Sequence, residues 1–394
     1  MSVRPRTILI TFIGAHLVND FYSTVLPAFL PALAEEFDLD YAELGILSFA
    51  FVLLTGVLQP VLGNVADRSG RRRWILVSGF TLGAVGFLAM AAAPTFWFIV
   101  GVSLLVGLGG ATYHPQATAY IVSAYSDRRG RMLGIHGWGG SAGHFLAPAM
   151  VVLSVAAFNW RLAMASIAVP MLIAAVALRV KLDETPAAPS ATLRGALSRQ
   201  LIVVAVTFGI VFMVGRSFLT FFVKMLVDEG WEETNAGVLL TVLLLVGAIA
   251  QPLGGWAFDR LGGRRVFTIA AGATTVLIAV FAGTSGALSL VAVTGIAFFQ
   301  FALFPVALAQ ASQFVPATQT GAATGLVFGI SGLMTAAMLL GVGALAELTG
   351  DIRVALAWLL PVAFVGVVLT RFMVKSRTED SNANSATSGL PTST

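Results

Sequence analysis

The chain has 394 residues, of which 57% are hydrophobic, 11% are charged and none is cysteine. Average soluble proteins contain roughly 25% charged residues, so this composition excludes a water-soluble globular fold. The lack of cysteine also excludes disulfides and thiolate metal sites. The formal net charge is +4, but the basic residues form short clusters between apolar runs, which indicates membrane topology rather than nucleic-acid binding.

Apolar stretches between charges and Gly or Pro breaks predict twelve membrane-spanning helices. Such helices need about 20 residues each, and backbone groups in lipid must pair within the segment, so helices are the expected spanning structure. The fold class is therefore all-α integral membrane, with no cofactor. The predicted spans are 7–33, 41–65, 73–93, 95–124, 132–156, 160–180, 199–226, 232–258, 264–284, 286–312, 321–347 and 352–374.

The distribution of basic residues predicts the topology. Nineteen of the 23 Lys and Arg fall at the termini or in loops on one side of the membrane, and such loops stay in the cytoplasm. We therefore expect a multi-pass protein of the cell inner (plasma) membrane with both termini cytoplasmic. A linker at 182–198 separates an N-terminal six-helix bundle, 1–181, from a C-terminal one, 199–376, and a polar tail at 377–394 is expected to be disordered.

The two halves repeat each other at a shift of 192 residues. The matched positions include Gln59-Pro60 with Gln251-Pro252, Gly63 with Gly255, Asp67-Arg68 with Asp259-Arg260, Gly70 with Gly262 and Arg161 with Arg353. Because six spans separate the copies, both have the same orientation and are related by an axis along the membrane normal. Such a duplication predicts a central cavity between two bundles.

The loop after the second span carries the most specific motif. It runs Gly63-Asn-Val-Ala-Asp67-Arg68-Ser-Gly70-Arg71-Arg72-Arg73 and recurs at Gly255 to Arg265. This motif resembles the signature loop of the major facilitator superfamily. The resemblance implies alternating-access transport by a monomer in the lipid bilayer, and a conformational latch; a loop that only sets topology is the alternative. The implied latch residues are Gly63, Asp67, Arg68, Gly70, Arg71, Arg72, Asp259 and Arg260.

Within that superfamily the first five spans resemble exporters of the fosmidomycin-resistance type. The motifs are Ala15-His16-Leu17-Val18-Asn19-Asp20, Leu58 to Gly63, Tyr113-His114-Pro115, and Gly139-Gly140-Ser-Ala-Gly143 with Pro148. Gln116 stands where this resemblance leads us to expect an acidic residue, and Gly137 replaces a polar side chain.

Ionisable residues inside spans are costly and mark functional sites. A rise of 1.5 Å per residue puts His16 and Asp20 on one face near mid-membrane, with His114 and His144 at comparable depths. We expect His16 to meet His114 and Asp20 to meet His144. Asp20 is the first candidate for a proton-coupling site and His114 the second, with a structural hydrogen bond as the alternative for each.

Three further side chains complete the candidate set around the cavity. Asn19 and Gln116 are polar neighbours of Asp20 and His114. Arg216, deep in the seventh span, has three possible roles: it clamps an anionic substrate, neutralises Asp20, or extends to the surface. His136 is expected to be an interfacial histidine with satisfied hydrogen bonds, and Lys224 a solvated helix end.

Proline and glycine predict where the helices bend and pack. Pro115 follows a glycine-rich stretch, so the fourth span is expected to break there. Small residues permit close helix contacts, and we assign two sets to the interface between the halves, with static packing as the alternative: Gly321, Gly325 and Gly329, and Gly139 with Gly143. Four phenylalanines line a pocket or face lipid: Phe298, Phe299, Phe301 and Phe304.

Three functions remain open. The first is proton-coupled export of a small organic compound, a drug or an organic anion such as a phosphonate. The second is uptake of a sugar or organic acid by a symporter or facilitator of the same fold. The third, a membrane-embedded metalloenzyme using His114, His136 and His144, lacks a His-Glu-x-x-His motif, so we expect a transporter without enzymatic activity or a metal.

Overall fold

The computed structural model describes residues 4–125, 129–184, 198–314 and 320–374, and within these ranges the regular structure is helical. The first half contains α1 Pro5–Thr24, α2 Leu26–Phe37, α3 Tyr41–Ser69, α4 Arg72–Ala91, α5 Phe96–Gly110, α6 Tyr113–Ala124, α7 Arg129–Ala157, α8 Trp160–Ser166 and α9 Ala168–Lys181. The second half contains α10 Arg199–Asp228, α11 Glu233–Leu261, α12 Gly263–Gly283, α13 Gly286–Ser312, α14 Thr320–Thr349, α15 Ile352–Ala357 and α16 Leu359–Leu369.

Twelve spans are long and apolar enough to cross a membrane, which confirms the predicted count. Most of the predicted ends agree within a few residues. The first span is longer than predicted and continues to Phe37, where Asp38 adopts a left-handed conformation (φ 53°) and ends the helix. The predicted tail at 377–394 and most of the linker lie outside the described residues.

Four spans are built from two helices each. The fourth span breaks at Ala111 and Thr112, as predicted from the glycines and Pro115. The first span also breaks, at Val25, which we did not predict. There the hydroxyls of Ser23 and Thr24 both donate to the Asp20 carbonyl, and Pro27 supplies no backbone N–H for the next turn.

The sequence repeat is also a repeat of contacts. Arg161 donates to the carbonyls of Ala91 and Ala93 and pairs with Glu36 at 2.8 Å. Its counterpart Arg353 donates to carbonyls at the end of α12 and pairs with Glu229 at 2.7 Å. Each arginine thus ties the beginning of the last span of its half to the ends of two other spans.

The halves meet along α3 and α14, where glycines allow backbone contact. A Cβ atom on Gly56 would lie 2.8 Å from the Gly332 Cα, and one on Gly45 would lie 3.0 Å from the Gly343 Cα. Gly325 and Gly329 face Pro60 of the other half, which confirms their predicted position. The assignment of Gly139 and Gly143 to the same interface is wrong, because these residues pack against the backbone of α1 in their own half.

The halves are also joined at the face opposite the termini, which we call the distal face. The Tyr41 hydroxyl at the start of α3 donates to the Asp228 carboxylate at the end of α10. Lys224 pairs with the same carboxylate and lies 5.1 Å from the centre of the Tyr41 ring. Lys224 is therefore part of a contact between halves and not the solvated helix end that we expected.

Candidate functional site

The carboxylate of Asp20 lies at the centre of a cluster of polar side chains in the middle of the first span. Its Oδ2 atom is 3.1 Å from His16 Nε2 and 3.4 Å from His144 Nδ1. Its Oδ1 atom is 3.7 Å from His114 Nε2 and accepts a hydrogen bond from Asn19 at 2.9 Å. We call Asp20 with these three histidines the Asp20 cluster. The predicted contact between Asp20 and His144 is present.

The side chains of the cluster come from α1, α6 and α7. A break before α6 and a glycine in α7 allow these helices to approach Asp20 closely. His16 and Asp20 are one turn apart and therefore share a face of α1. The break in the fourth span places His114 in the first turn of α6, with its ring 5.4 Å from that of His16, so the predicted meeting of these two residues is also confirmed. Gly140 of α7 has no side chain, and a Cβ there would collide with Asp20 Oδ2 and His16 Nε2.

A second layer of hydrogen bonds fixes His16. Its Nδ1 donates to the backbone carbonyl of His136 at 2.9 Å, and its ring stacks on the His136 ring with centroids 4.1 Å apart. His136 Nε2 lies 2.9 Å from the Tyr113 hydroxyl, which donates to the Phe12 carbonyl at 2.8 Å. His136 is thus satisfied, as expected, but it is buried beside the cluster rather than at the membrane interface.

Two histidines of the cluster retain accessible surface although they lie deep within the protein. The side chain of His114 is 29% exposed and that of His144 is 23% exposed, whereas Asp20 is 8% exposed. Both imidazoles face aromatic rings of the second half: Phe328 lies 6.0 Å from His114 and Phe301 5.8 Å from His144. Accessible surface between these groups indicates space for a ligand where the halves meet.

The second half contributes an aromatic wall to this space. The Phe304 ring lies 5.2 Å from the Phe328 ring, tilted by 40°, and also contacts the rings of Phe208 and Phe212. Of the four phenylalanines named from the sequence, Phe301 is buried and the other three are half-buried, and Phe301 and Phe304 belong to this wall.

Arg216 lies on the distal side of the cluster. Its Nη2 donates to the Ser23 carbonyl at 3.0 Å, an acceptor that the break after Thr24 makes available. Within the described residues the ion-pairing partners of Asp20 are the three histidines, so Arg216 does not neutralise Asp20 directly. The residue as a whole is half-buried, and because its guanidinium is bonded to the Ser23 carbonyl it does not extend to the surface.

Gln116 and Asn19 have polar atoms without partners. Gln116 is fully buried on α6, and both its amide oxygen and its amide nitrogen lack a hydrogen-bond partner in the described part of the chain. The Asn19 Oδ1 atom is in the same situation. Gln116 is therefore not accessible to a ligand in this conformation, whereas the neighbouring His114 is.

The motif loops lie at the face that carries the termini. Gly70 ends α3 with φ 69°, a conformation that favours glycine, and Gly63 packs against Pro115. Arg68, Arg71, Asp259 and Arg260 are exposed and Arg72 is half-buried; Arg260 lies 4.9 Å from the Trp256 ring centre. The side chain of Asp67 lies outside the part that the structure describes.

Sequence reasoning missed two positioning groups, Tyr113 and the backbone carbonyl of His136. The signal for Tyr113 was its place beside His114 at a predicted helix break. The trio proposed for a metalloenzyme is not assembled as such, because His136 bonds to Tyr113; the donor atoms that lie within 4.8 Å of one another are those of His16, Asp20 and His114.

Comparison with known proteins gives a consistent family match. The family model described as Major Facilitator Superfamily matches residues 12–232 and 204–393. The uncharacterized MFS-type transporter YfnC of Bacillus subtilis (strain 168) is 27% identical over 371 residues, covering 89% of this chain and 88% of that protein. The fosmidomycin resistance protein of Escherichia coli (strain K12) is 26% identical over 336 residues, with 80% of both chains covered.

A similar fold occurs among solved structures. The structure of a D-xylose-proton symporter aligns with a TM-score of 0.76 at 16% identity, covering 93% of this chain and 96% of that one. At this level of identity the likeness concerns the fold.

Proposed function

The chain belongs to the major facilitator superfamily, and from this premise we propose that it is a proton-coupled exporter of small organic anions with an apolar body. The observation that carries the proposal is the Asp20 cluster, a carboxylate and three imidazoles at mid-membrane beside the surface where the halves meet. Membrane transport itself follows from the family; coupling ion, substrate and direction are the proposed part.

Proton coupling is supported by the chemistry of the cluster. A carrier needs a group that gains and loses a proton as the cavity alternates, and carboxylates and imidazoles do this near neutral pH. A mid-membrane ionisable group is otherwise costly to keep. Asp20 lies against histidines from α6 and α7, so a change in its protonation alters contacts between three spans at once.

The substrate class is supported by what the two walls offer. The accessible polar groups are the imidazoles of His114 and His144, and Arg216 lies nearby with a planar guanidinium that suits carboxylates and phosphonates. The opposite wall is phenylalanine, which favours an apolar body. A small organic anion with an apolar body matches both walls, whereas a sugar would need more hydrogen-bonding partners.

Orientation and direction rest on two separate arguments. The basic loops at the face with the termini support a cytoplasmic location of that face. Export is supported by the similarity to the fosmidomycin resistance protein over most of both chains. The motif loops at the cytoplasmic face then correspond to a latch, in which Asp67 and Asp259 with the adjacent arginines hold one conformer and release it during transport.

The test uses purified protein in liposomes with an imposed pH gradient and two probes, the phosphonate fosmidomycin and D-xylose. A proton antiporter accumulates its substrate when the lumen is acidic, and a proton symporter does so when the lumen is alkaline. We expect fosmidomycin to accumulate with an acidic lumen, and Asp20→Asn to abolish this accumulation. Glu347→Gln, which changes an exposed acid at the distal face, is the matched control.

Accumulation of D-xylose with an alkaline lumen would instead establish the uptake function and overturn export. Full gradient-driven accumulation of fosmidomycin by Asp20→Asn would remove Asp20 from the coupling step.

A further inference from the structure

The hydrogen bonds around His16 determine where its protons lie. A backbone carbonyl only accepts hydrogen bonds, so the 2.9 Å contact between His16 Nδ1 and the His136 carbonyl requires a proton on Nδ1. A neutral imidazole carries one proton, and neutral His16 therefore presents a bare lone pair at Nε2. That lone pair faces Asp20 Oδ2 at 3.1 Å.

Two bare acceptors repel each other at this distance, so the contact between His16 and Asp20 needs one further proton. We infer that His16 and Asp20 bind a single shared proton, and that this pair, rather than the carboxylate alone, is the proton-binding unit of the transporter. This inference rests on the proposed function and deepens it. Loss of the proton turns an attractive contact into a repulsive one and drives the two side chains apart.

The neighbouring groups hold the His16 side chain in a fixed position. The Tyr113 hydroxyl has one proton and gives it to the Phe12 carbonyl, so His136 must donate from Nε2 to the Tyr113 oxygen. The hydrogen bond to Tyr113 fixes the His136 side chain. His16 in turn stacks on the His136 ring and donates to the His136 carbonyl. Tyr113 and His136 are thus positioning residues for the proton-binding pair.

After proton loss the carboxylate can turn to other donors that already surround it. Asn19 donates to Oδ1 at 2.9 Å, and His144 Nδ1 lies 3.4 Å from Oδ2 on a different helix. The titratable and charged groups facing the pair are Tyr22, Tyr113, His114, His136, His144 and Arg216. Deprotonation therefore moves the carboxylate away from His16 and towards His144 on α7.

The test is nitrogen NMR of protein labelled with 15N-histidine in lipid nanodiscs. The chain has only four histidines, so four single His→Gln variants assign all signals. Between about pH 5 and pH 9 we expect His16 Nδ1 to remain protonated while Nε2 passes from protonated to unprotonated. In Asp20→Asn the new amide can donate to Nε2, so Nε2 should stay unprotonated throughout. His136 should keep its proton on Nε2 and serves as the internal control.

A neutral His16 with its proton on Nε2, or an unchanged Nε2 transition in Asp20→Asn, would overturn the shared proton. Neither result depends on a substrate, so the inference can fail while pH-driven transport through Asp20 survives. In the reverse case, the expected NMR pattern without pH-driven accumulation of fosmidomycin by the wild-type protein would overturn the proposed function and leave the shared proton in place. Tyr113→Phe adds a positioning test, because the His136 Nε2 signal should shift and the His16 Nε2 transition should broaden or move while the fold is kept.

Discussion

Single residues determine how closely the helices approach Asp20. Gly140 leaves room for the carboxylate and the His16 ring, whereas Gly137, three residues earlier on the same helix, has nothing within 4 Å of its Cβ position. An alanine at Gly140 therefore tests the effect of an added side-chain methyl group at the cluster. An alanine at Gly137 tests only the effect of reduced backbone freedom.

We expect Gly140→Ala to abolish most gradient-driven transport and to lower the free energy of unfolding by about 1–3 kcal/mol, because the added methyl displaces Asp20 or His16. Gly137→Ala should leave transport unchanged and be neutral or stabilising by up to about 1 kcal/mol, since alanine favours the helix. Transport in liposomes and thermal unfolding in detergent measure both effects. Equal activity of the two variants would contradict the assigned contact.

The residue scale also shows how far sequence reasoning reaches. Helical rise alone predicted that Asp20 meets His144 and that His16 meets His114, since it gives the depth of each residue in its span. It could not predict the partner of Arg216, because the Ser23 carbonyl becomes available only through an unpredicted helix break. It also could not predict that His136 approaches His16 with its backbone, because carbonyl direction depends on how α7 lies against α1.

At the scale of helices, the breaks matter because they leave carbonyls without helical partners. Pro115 and the glycines before His114 were together the signal that predicted the break in the fourth span. The Thr55 hydroxyl of α3 donates to the Gly107 carbonyl at 3.0 Å, just before that break. The same carbonyl still accepts from the Ala111 N–H at 3.1 Å, so the side chain from the neighbouring helix adds a second hydrogen bond in the last helical turn before the break.

We expect Thr55→Val to lower the free energy of unfolding by about 0.5–1.5 kcal/mol, because it removes that donor while keeping the side-chain volume. Thr55→Ser keeps the hydroxyl and should remain within about 0.5 kcal/mol of the wild type. Thermal unfolding of both variants in the same detergent is the measurement. A loss of stability in Thr55→Ser as large as in Thr55→Val would mean that packing, and not the hydrogen bond, holds the break.

The repeated arginines make a second prediction at this scale. Arg161 and Arg353 hold equivalent carbonyls at the ends of α4 and α12, so Arg161→Gln and Arg353→Gln should each destabilise the protein by about 1–3 kcal/mol. Arg179→Gln is the control, since this exposed arginine stacks on Trp74 near a helix end. Unfolding temperatures should fall for the first two variants only. A drop confined to one half would show that the repeat is not energetically symmetric.

At the scale of the whole molecule, two of the contacts between the halves differ in how far a relative rotation of the halves would displace them. The backbone contact of Gly56 with Gly332 lies near the middle of α3 and α14, where a relative rotation displaces atoms least. The bonds of Tyr41 and Lys224 to Asp228 lie at the distal face, where a rotation displaces atoms most. The distal contacts must therefore break when the transporter opens to that side, while the central contact can persist.

We expect Tyr41→Phe to shift the conformational equilibrium towards a distal-open state, because it removes one hydrogen bond to a carboxylate and leaves the ring in place. An exposed bond of this kind contributes about 0.5–1.5 kcal/mol, which corresponds to an approximately two- to twelve-fold change in the ratio of states. The chain has no cysteine, so Glu35→Cys and Asn235→Cys can carry spin labels on the two halves without background. The distance distribution between these labels should gain a longer component in Tyr41→Phe. Gly341→Ala, at a site on α14 with nothing within 4 Å, should leave the distribution unchanged, and an unchanged distribution in Tyr41→Phe would remove this contact from the distal gate.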